Sequence, residues 1–240
     1  MSKKIIRELL AEAIGVFGLV YFGGWSVILS TAGRLDVLGV GLVHSGILGV
    51  LIWSGCAFAG CHFNPALTIG FICIRSIDFL KGIFYIIFQF FGTVLGALAL
   101  QLSVPSILLQ SAVSVGADFG GPHQGTDFSA ASACFLEFIG TFMLMFVVKS
   151  LCAEDKAFMY APLIGCVIGM CVLCFGSFTG TGINPFRYFG PALLSGKLGD
   201  FYIYIIFPII GAIAAAFAYE YLFDFSDSEE KELALVQQEI

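Results

Sequence analysis

Two asparagines, each followed by proline, are the residues of this apolar chain whose types and spacing say most about its chemistry. Residues 60–66 read GCHFNPA, and residues 180–187 read GTGINPFR. Asparagine caps helix N-termini and proline favours the first helical position, so each motif predicts a helix that begins directly after Asn64 or Asn184. A helix N-terminus carries partial positive charge. Two such ends that meet inside a membrane would form an electropositive waist that repels cations.

Four further polar side chains lie in apolar stretches, where each needs a partner or water. Arg187 comes three residues after Asn184, and an arginine within a membrane indicates a functional site. Glu12 and Glu137 begin the matching tetrapeptides EAIG and EFIG. His44 stands in an apolar run, where either a solute filter or hydrogen-bonded packing would account for it.

The histidines and cysteines do not predict a metal site. His44, His62 and His123 lack the spacing of metal ligands, and the cysteines lie mainly in apolar runs or short connections. Cys171 and Cys174 share one apolar run, where buried thiols are the usual interpretation. We therefore predict no catalytic residue, no metal and no cofactor, and an enzyme is disfavoured.

The composition is that of an integral membrane protein. Of the 240 residues, 59% are hydrophobic and 12% are charged, whereas soluble domains carry about 25% charged residues. The formal net charge of −6 comes largely from a tail, which from Asp224 onward holds six acidic residues and one lysine. Such a tail argues against nucleic-acid binding. The lipid bilayer is the expected environment.

Apolar runs of two lengths position the polar residues. Six runs are long enough to cross a bilayer, which takes about 20 residues. They cover residues 8–29, 37–55, 82–102, 130–148, 160–177 and 201–223. Two shorter runs, residues 65–74 and 185–195, follow the Asn-Pro motifs and cannot span. The sequence therefore predicts an all-α membrane protein with six transmembrane helices and two re-entrant half-helices.

The two halves of the chain match each other. Glu12 and Asn64 correspond to Glu137 and Asn184, and each half contains three spans. An odd number of spans inverts the second copy, which is a transport-protein architecture. We expect one transmembrane domain over residues 1–240. Its parts are repeat one at about 7–102, a loop at 103–129, repeat two at about 130–223 and the acidic tail at 224–240.

Lysines and arginines indicate the orientation. One side of the six-span arrangement holds Lys3, Lys4, Arg7, Arg75, Lys81, Lys149, Lys156 and Lys231. Only Arg34 and Lys197 lie in connections on the other side. The positive-inside rule then places both termini of this multi-pass protein in the cytoplasm. The plasma membrane and a vacuolar or other internal membrane both remain open.

These motifs resemble those of the aquaporins, in the major intrinsic protein family. The resemblance rests on the Glu12 and Glu137 segments and on the stretches AGCHFNPALTIG and TGTGINPFRYFGPAL, and it extends over essentially the whole chain. It implies an hourglass of helices, a homotetramer with one pore per subunit, and passive conduction of water in single file. The resemblance further implies that small neutral solutes such as ammonia are candidates for conduction as well, and that protons and ions are excluded.

The resemblance also implies a role for each matching residue. The pore waist would consist of Asn64, Pro65, Ala66, Asn184, Pro185 and Phe186. The selectivity filter would consist of His44, Val172, Thr181 and Arg187. Cys61 and His62 would line the cytoplasmic vestibule, with Cys61 as a thiol accessible to mercurials. Glu12 and Glu137 would be structural buried acids that accept hydrogen bonds from the backbone of the re-entrant loops.

The filter residues bear on which solute passes. His44 with the aliphatic Val172 resembles the vacuolar-type plant members, which often conduct ammonia as well as water. Glycerol-conducting members usually have Asp directly after the filter arginine, whereas this chain has Tyr188. That difference favours water. A ring without a bulky aromatic side chain would still be wide enough for glycerol, so a glycerol channel is one alternative.

Phe186 is the main departure from the family pattern, which usually has alanine there. The resemblance places this position near Pro65 at the waist, where extra bulk costs about 1–3 kcal/mol unless neighbours adjust. A second alternative is therefore a structural or adhesive membrane tetramer with a closed pore.

Overall fold

Helices account for most of the described chain. The computed structural model describes residues 2–55, 59–114, 117, 120–125, 127–153 and 157–223. The long helices are α1 (Lys3–Thr31), α2 (Val37–Gly55), α4 (Phe79–Ser103), α6 (Ala130–Ala153), α7 (Tyr160–Thr179) and α9 (Phe207–Phe223). The π-helical turn Tyr202–Ile206 precedes α9. In the part of the chain so described, six segments are long and apolar enough to cross a membrane, which confirms the predicted fold class.

Two of the remaining helices are the half-helices that follow the Asn-Pro motifs. Helix α3 covers Pro65–Cys73 and helix α8 covers Pro185–Ser195. At 1.5 Å per residue, neither can cross a hydrocarbon layer of about 30 Å. Each begins with proline, and the preceding asparagine accepts a hydrogen bond from the backbone of the second helical residue. Local sequence alone therefore sets where both half-helices start.

Matching glycine contacts join the first and third spanning helices within each half. At Gly92 of α4 an added Cβ would lie 2.3 Å from the carbonyl oxygen of Ala13 on α1. At Gly211 of α9 an added Cβ would lie 2.3 Å from the carbonyl oxygen of Phe138 on α6. Only glycine permits helix backbones to approach so closely, as small residues do between membrane helices. The two halves thus repeat the same helix pairing.

Several helix boundaries differ from the sequence prediction. Helix α1 begins at Lys3 and not at residue 8, and α4 begins at Phe79 and not at residue 82. Helix α6 continues past residue 148, so Lys149 lies within it and pairs with Glu220 of α9. A short helix, α5 (Ser106–Ser114), occupies part of the predicted loop 103–129. Its Leu108 and Ala112 pack in the cluster that contains Ile28 and Leu100. Its serine-rich composition concealed this apolar face. The predicted acidic tail 224–240 lies outside the described residues.

Candidate functional site: a pore between two half-helices

Two reciprocal hydrogen bonds join the two re-entrant segments at the waist, and the sequence did not reveal them. The Nδ2 of Asn64 donates to the carbonyl of Ile183 at 2.9 Å, and the Nδ2 of Asn184 donates to the carbonyl of Phe63 at 2.7 Å. Each asparagine therefore ties its own half-helix to the opposite re-entrant loop. Since a primary amide carries two N–H groups, each side chain retains one donor for a passing molecule.

The two re-entrant loops have the same unusual backbone. Cys61 and Thr181, each three residues before the asparagine, have φ angles of 49° and 50°. Phe63 and Ile183, each one residue before it, have φ angles of 49° and 39°. Positive φ is uncommon for residues other than glycine and costly for a β-branched one, so the surroundings must hold it in place.

Buried glutamates hold these loops. Glu12 accepts hydrogen bonds from the backbone N–H groups of His62 at 2.8 Å and Phe63 at 2.7 Å. Glu137 accepts from the backbone N–H groups of Gly182 at 2.9 Å and Ile183 at 2.5 Å. Both carboxylates are fully buried, and such groups are stable only when hydrogen-bonded. The acids thus make the backbone contacts expected of structural residues.

Side chains that the sequence analysis did not single out complete these contacts. Gln89 donates to Glu12 at 2.7 Å and to the hydroxyl of Thr68 at 3.1 Å. Thr179 donates to Glu137 at 2.7 Å. In the sequence, Gln89 and Thr179 stand out only as polar residues within apolar helices. Many residues that merely pack have the same property, so this signal does not identify them.

Both asparagines line a narrow cavity of about 20 Å³. Its other lining residues are Leu19, Leu48, Ile52, Cys61, His62, Phe63, Leu67, Leu144, Val148, Ile164 and Ile168. A volume of about 10–15 Å³ on this measure holds one water molecule, so the waist cavity has room for about one water molecule. Apart from the two amides and the imidazole of His62, the lining is mainly apolar, which leaves few places for a solute to bind strongly.

A wider cavity of about 340 Å³ continues from the waist, and we call it the inner vestibule. It lies on the side of the bundle where α1 begins and α9 ends. The two cavities share Ile52, Cys61, His62, Val148 and Ile164. The predicted vestibule residues Cys61 and His62 therefore lie where the passage narrows.

His44 and Arg187 form a buried pair on α2 and α8. The Nε of Arg187 donates to the Nε2 of His44 at 3.0 Å, and the Nδ1 of His44 lies 2.9 Å from the carbonyl of Val40. Because an arginine nitrogen only donates, His44 must be neutral with its proton on Nδ1. Arg187 is 4% exposed, and within the described chain its Nη1 has no protein hydrogen-bond partner. That nitrogen is a buried donor whose hydrogen-bonding capacity is unused among the described residues.

The other two predicted filter residues lie close to each other. Val172 and Thr181 are both buried, and they lie 3.6 Å and 3.9 Å from the position a Cβ would take at Gly176. The hydroxyl of Thr181 donates to the carbonyl of Cys171 at 3.1 Å. Thr181 is thereby fixed to α7, and its hydroxyl proton is engaged within the protein.

The ring of Phe186 lies in an aromatic cluster between α4 and α8. Its centroid is 6.1 Å from that of Phe90 and 6.2 Å from that of Phe189. Phe186 is not among the described residues that line the waist cavity. The extra bulk of this side chain is therefore accommodated without filling the passage.

Six spanning helices and two opposed half-helices, with a narrow cavity lined by both asparagines, are the architecture of a transmembrane channel. The profile of the family described as "Major intrinsic protein" matches residues 1–219. The chain belongs to this family, whose members are channels and not enzymes.

Individual relatives support the same assignment. The chain is 34% identical over 218 residues to "Aquaporin C" of Dictyostelium discoideum, covering 87% of this chain and 77% of that one. It is 31% identical over 249 residues to "Probable aquaporin AqpM" of Archaeoglobus fulgidus, covering 92% and 99%. It is 29% identical over 238 residues to "Aquaporin NIP1-2" of rice (Oryza sativa subsp. japonica), covering 98% and 76%.

A solved structure shares the fold. The aquaglyceroporin from Plasmodium falciparum superimposes with a TM-score of 0.76 at 23% identity, covering 91% of this chain and 96% of that one. This likeness shows the architecture alone. The vacuolar-type filter and the choice between water and glycerol remain predictions.

Proposed function

We propose that this channel conducts water in single file, conducts ammonia to a lesser extent, and excludes protons and ions. The observation that carries the proposal is the waist cavity of about 20 Å³, which has room for about one water molecule between Asn64 and Asn184. Glycerol is bulkier than water, so a waist this narrow favours water over glycerol.

Proton exclusion follows from the donors at the waist. The remaining N–H of each asparagine is available to the oxygen of a water molecule there. With both lone pairs of that oxygen engaged, the water cannot accept a proton from its neighbour. The N-termini of α3 and α8 add partial positive charge at the same depth, which raises the energy of any cation.

The filter supports passage of ammonia and rejection of ammonium. Both ring nitrogens of His44 are engaged within the protein, and the Nη1 of Arg187 has no hydrogen-bond partner among the described residues. This supports Arg187 as the donor that a solute uses at the filter. Water and ammonia each have a lone pair that accepts from this donor, whereas ammonium has none and carries positive charge. Desolvated beside a guanidinium group, ammonium is repelled.

Two features support the expected assembly and orientation. Large apolar side chains such as Trp53 and Val50 are exposed on α2, which suits contact with lipid or with a neighbouring subunit of a homotetramer. Lys81 and Lys149 lie near the inner vestibule end, which suits a cytoplasmic location of both termini.

Reconstituted vesicles test the proposal directly. After an osmotic step, vesicles with the wild-type protein should shrink much faster than empty vesicles, and they should not take up glycerol. Ile168→Trp places an indole in the waist cavity and should remove the protein-mediated flux. Met170→Trp is the matched control, since this α7 side chain is 57% exposed on the outer surface and the flux should persist.

The alternatives predict different results in the same vesicles. Rapid glycerol uptake by the wild-type protein would establish a glycerol channel. Shrinkage at the rate of bare lipid would establish a closed, structural protein. An ammonium gradient read with an internal pH dye separates ammonia entry, which raises internal pH, from ammonium entry, which does not.

A further inference from the structure

Two buried tyrosines occupy equivalent places in the two halves of the chain. Residues 85–88 and residues 204–207 both read YIIF. Gly92 and Gly211, each seven residues after the tyrosine, make the matching close helix contacts described above. Both tyrosine side chains are 0% exposed. Burying a phenol oxygen is unfavourable unless it is hydrogen-bonded, so the partners of the two hydroxyls indicate what each tyrosine does.

The hydroxyl of Tyr204 is bound to the start of the second re-entrant loop. It donates to the carbonyl of Thr179 at 2.8 Å. The ring passes so close to Gly182 that a Cβ there would lie 2.6 Å from Cδ1 of Tyr204, and it stacks on Tyr188 at 4.8 Å. Tyr204 lies in the π-helical turn Tyr202–Ile206, a distortion that often occurs at functional sites.

Hydrogen bonds continue from Thr179 to the filter. The hydroxyl of Thr179 donates to Glu137 at 2.7 Å and accepts from the backbone N–H of Thr181 at 3.1 Å. Thr181 is the filter residue whose φ angle is 50°. A left-handed conformation of a β-branched residue persists only when several contacts enforce it, and Tyr204 supplies one of them through Thr179.

The hydroxyl of Tyr85 is bound to the start of the first re-entrant loop. It accepts from the backbone N–H of Gly60 at 3.4 Å and donates to Glu8 at 2.9 Å. Its ring lies edge-on to His62, with centroids 5.3 Å apart. Glu8 in turn pairs with Lys81 at 2.6 Å. This tyrosine therefore restrains the loop that forms the wall of the inner vestibule.

We propose that Tyr85 and Tyr204 are equivalent positioning residues, each fixing one re-entrant loop through its hydroxyl. Tyr204 thereby controls solute discrimination at Thr181 and Arg187, whereas Tyr85 controls the loop that carries Cys61. The statement about discrimination rests on the proposed water channel, but the statement about loop restraint does not. The two parts are therefore measured separately.

Hydrogen–deuterium exchange on the purified full chain tests the loop restraint. Tyr204→Phe keeps the ring and removes the hydroxyl. It should raise amide exchange in residues 179–184 by roughly fivefold, the effect of losing about one hydrogen bond, and leave residues 59–64 unchanged. Tyr85→Phe should do the reverse. The matched control is Tyr219→Phe, a buried α9 tyrosine that packs on Phe146 and Phe223 and should change neither loop.

Vesicle permeability tests the consequence for the filter. Tyr204→Phe should raise the ratio of urea to water permeability by several-fold, while Tyr85→Phe and Tyr219→Phe leave this ratio at the wild-type value. A purely structural role would lower all fluxes together without moving the ratio.

Several outcomes would overturn the inference. Exchange that rises throughout the chain in Tyr204→Phe, or a variant recovered unfolded, would make Tyr204 a general stability residue. Equal changes in both loops, or none in either, would remove the proposed pairing of each tyrosine with its own loop. If the wild-type protein conducts no water, the proposed function fails while the exchange result still decides the restraint.

Discussion

At the scale of single residues, each waist asparagine uses its amide in three ways. The Oδ1 of Asn184 caps α8, one N–H binds the carbonyl of Phe63, and the second N–H remains for a solute. Asn64 does the same for α3 and Ile183. Helix capping alone would be satisfied by Asp or Ser, so the need for a donor is what requires asparagine here.

Asn184→Asp separates these uses. The carboxylate keeps the cap but cannot donate to Phe63, and its negative charge offsets the partial positive charge of the half-helix ends. We expect water flux to persist in part and a proton leak to appear, measured with a pH dye in vesicles under a potassium–valinomycin potential. Gln110→Glu adds the same charge to an exposed position on α5 and should not leak. A proton-tight Asn184→Asp channel would argue against the waist as the barrier.

Gly23→Ala tests the buried pair of the filter. A Cβ at Gly23 would lie 2.7 Å from the Nε2 of His44, the atom that accepts from Arg187. The ring must move, so we expect the urea-to-water permeability ratio to change by several-fold. Gly46→Ala is the control, since a Cβ there meets no atom within 4 Å. An unchanged ratio in Gly23→Ala would show that His44 does not shape the filter.

At the scale of secondary-structure elements, local chemistry predicted the half-helices well. The predicted start at Pro65 and the predicted range 185–195 coincide with α3 and α8, because an asparagine cap and a first-turn proline specify a helix start from adjacent residues alone. The duplication paired Glu12 with Glu137, and the family resemblance predicted their hydrogen bonds to the re-entrant loops.

The sequence pattern does not predict which distant segments contact each other. The bond from Asn64 to Ile183 joins residues 119 apart, and no periodicity specifies which carbonyl an amide will find. The π-helical turn at 202–206 likewise arises from packing, since its composition matches that of an ordinary apolar helix. The contacts of Thr179 and Tyr204 therefore became evident only in three dimensions, although the repeated YIIF segment indicates that Tyr85 and Tyr204 correspond.

Glu137→Gln tests how strongly the second loop depends on its buried acid. The amide offers one acceptor oxygen in place of two and turns an NH₂ toward the N–H groups of Gly182 or Ile183. We expect a loss of about 1–3 kcal/mol, the usual cost of leaving buried donors unsatisfied. A lower Tm of the detergent-solubilised protein would report it.

The matched control for that change is Glu220→Gln. Glu220 pairs with Lys149, but both side chains are partly exposed, at 28% and 15%. Ion pairs of this kind contribute at most about 1 kcal/mol, so the Tm should fall less than in Glu137→Gln. Equal shifts would mean that Glu137 supports the loop no more than a peripheral ion pair supports its helices.

At the scale of the whole molecule, the passage is asymmetric although the two halves are alike. The inner vestibule of about 340 Å³ narrows to the waist of about 20 Å³, and Cys61 lines both cavities. Its counterpart in the second half, Thr181, carries a hydroxyl that is bound to α7. A thiol reagent should therefore distinguish the two ends of the pore.

A mercurial too polar to cross lipid should block water flux only from the side of the inner vestibule. An adduct on Cys61 would fill a waist that holds about one water molecule, so most of the protein-mediated flux should disappear. If both termini are cytoplasmic, inside-out membrane vesicles should be blocked by external reagent and right-side-out vesicles should not. Cys61→Ser should conduct and resist the reagent, whereas Cys152→Ser, at the wider part of the same vestibule, should remain sensitive. Block that persists in Cys61→Ser would place the sensitive thiol elsewhere, and block from the opposite face alone would reverse the orientation.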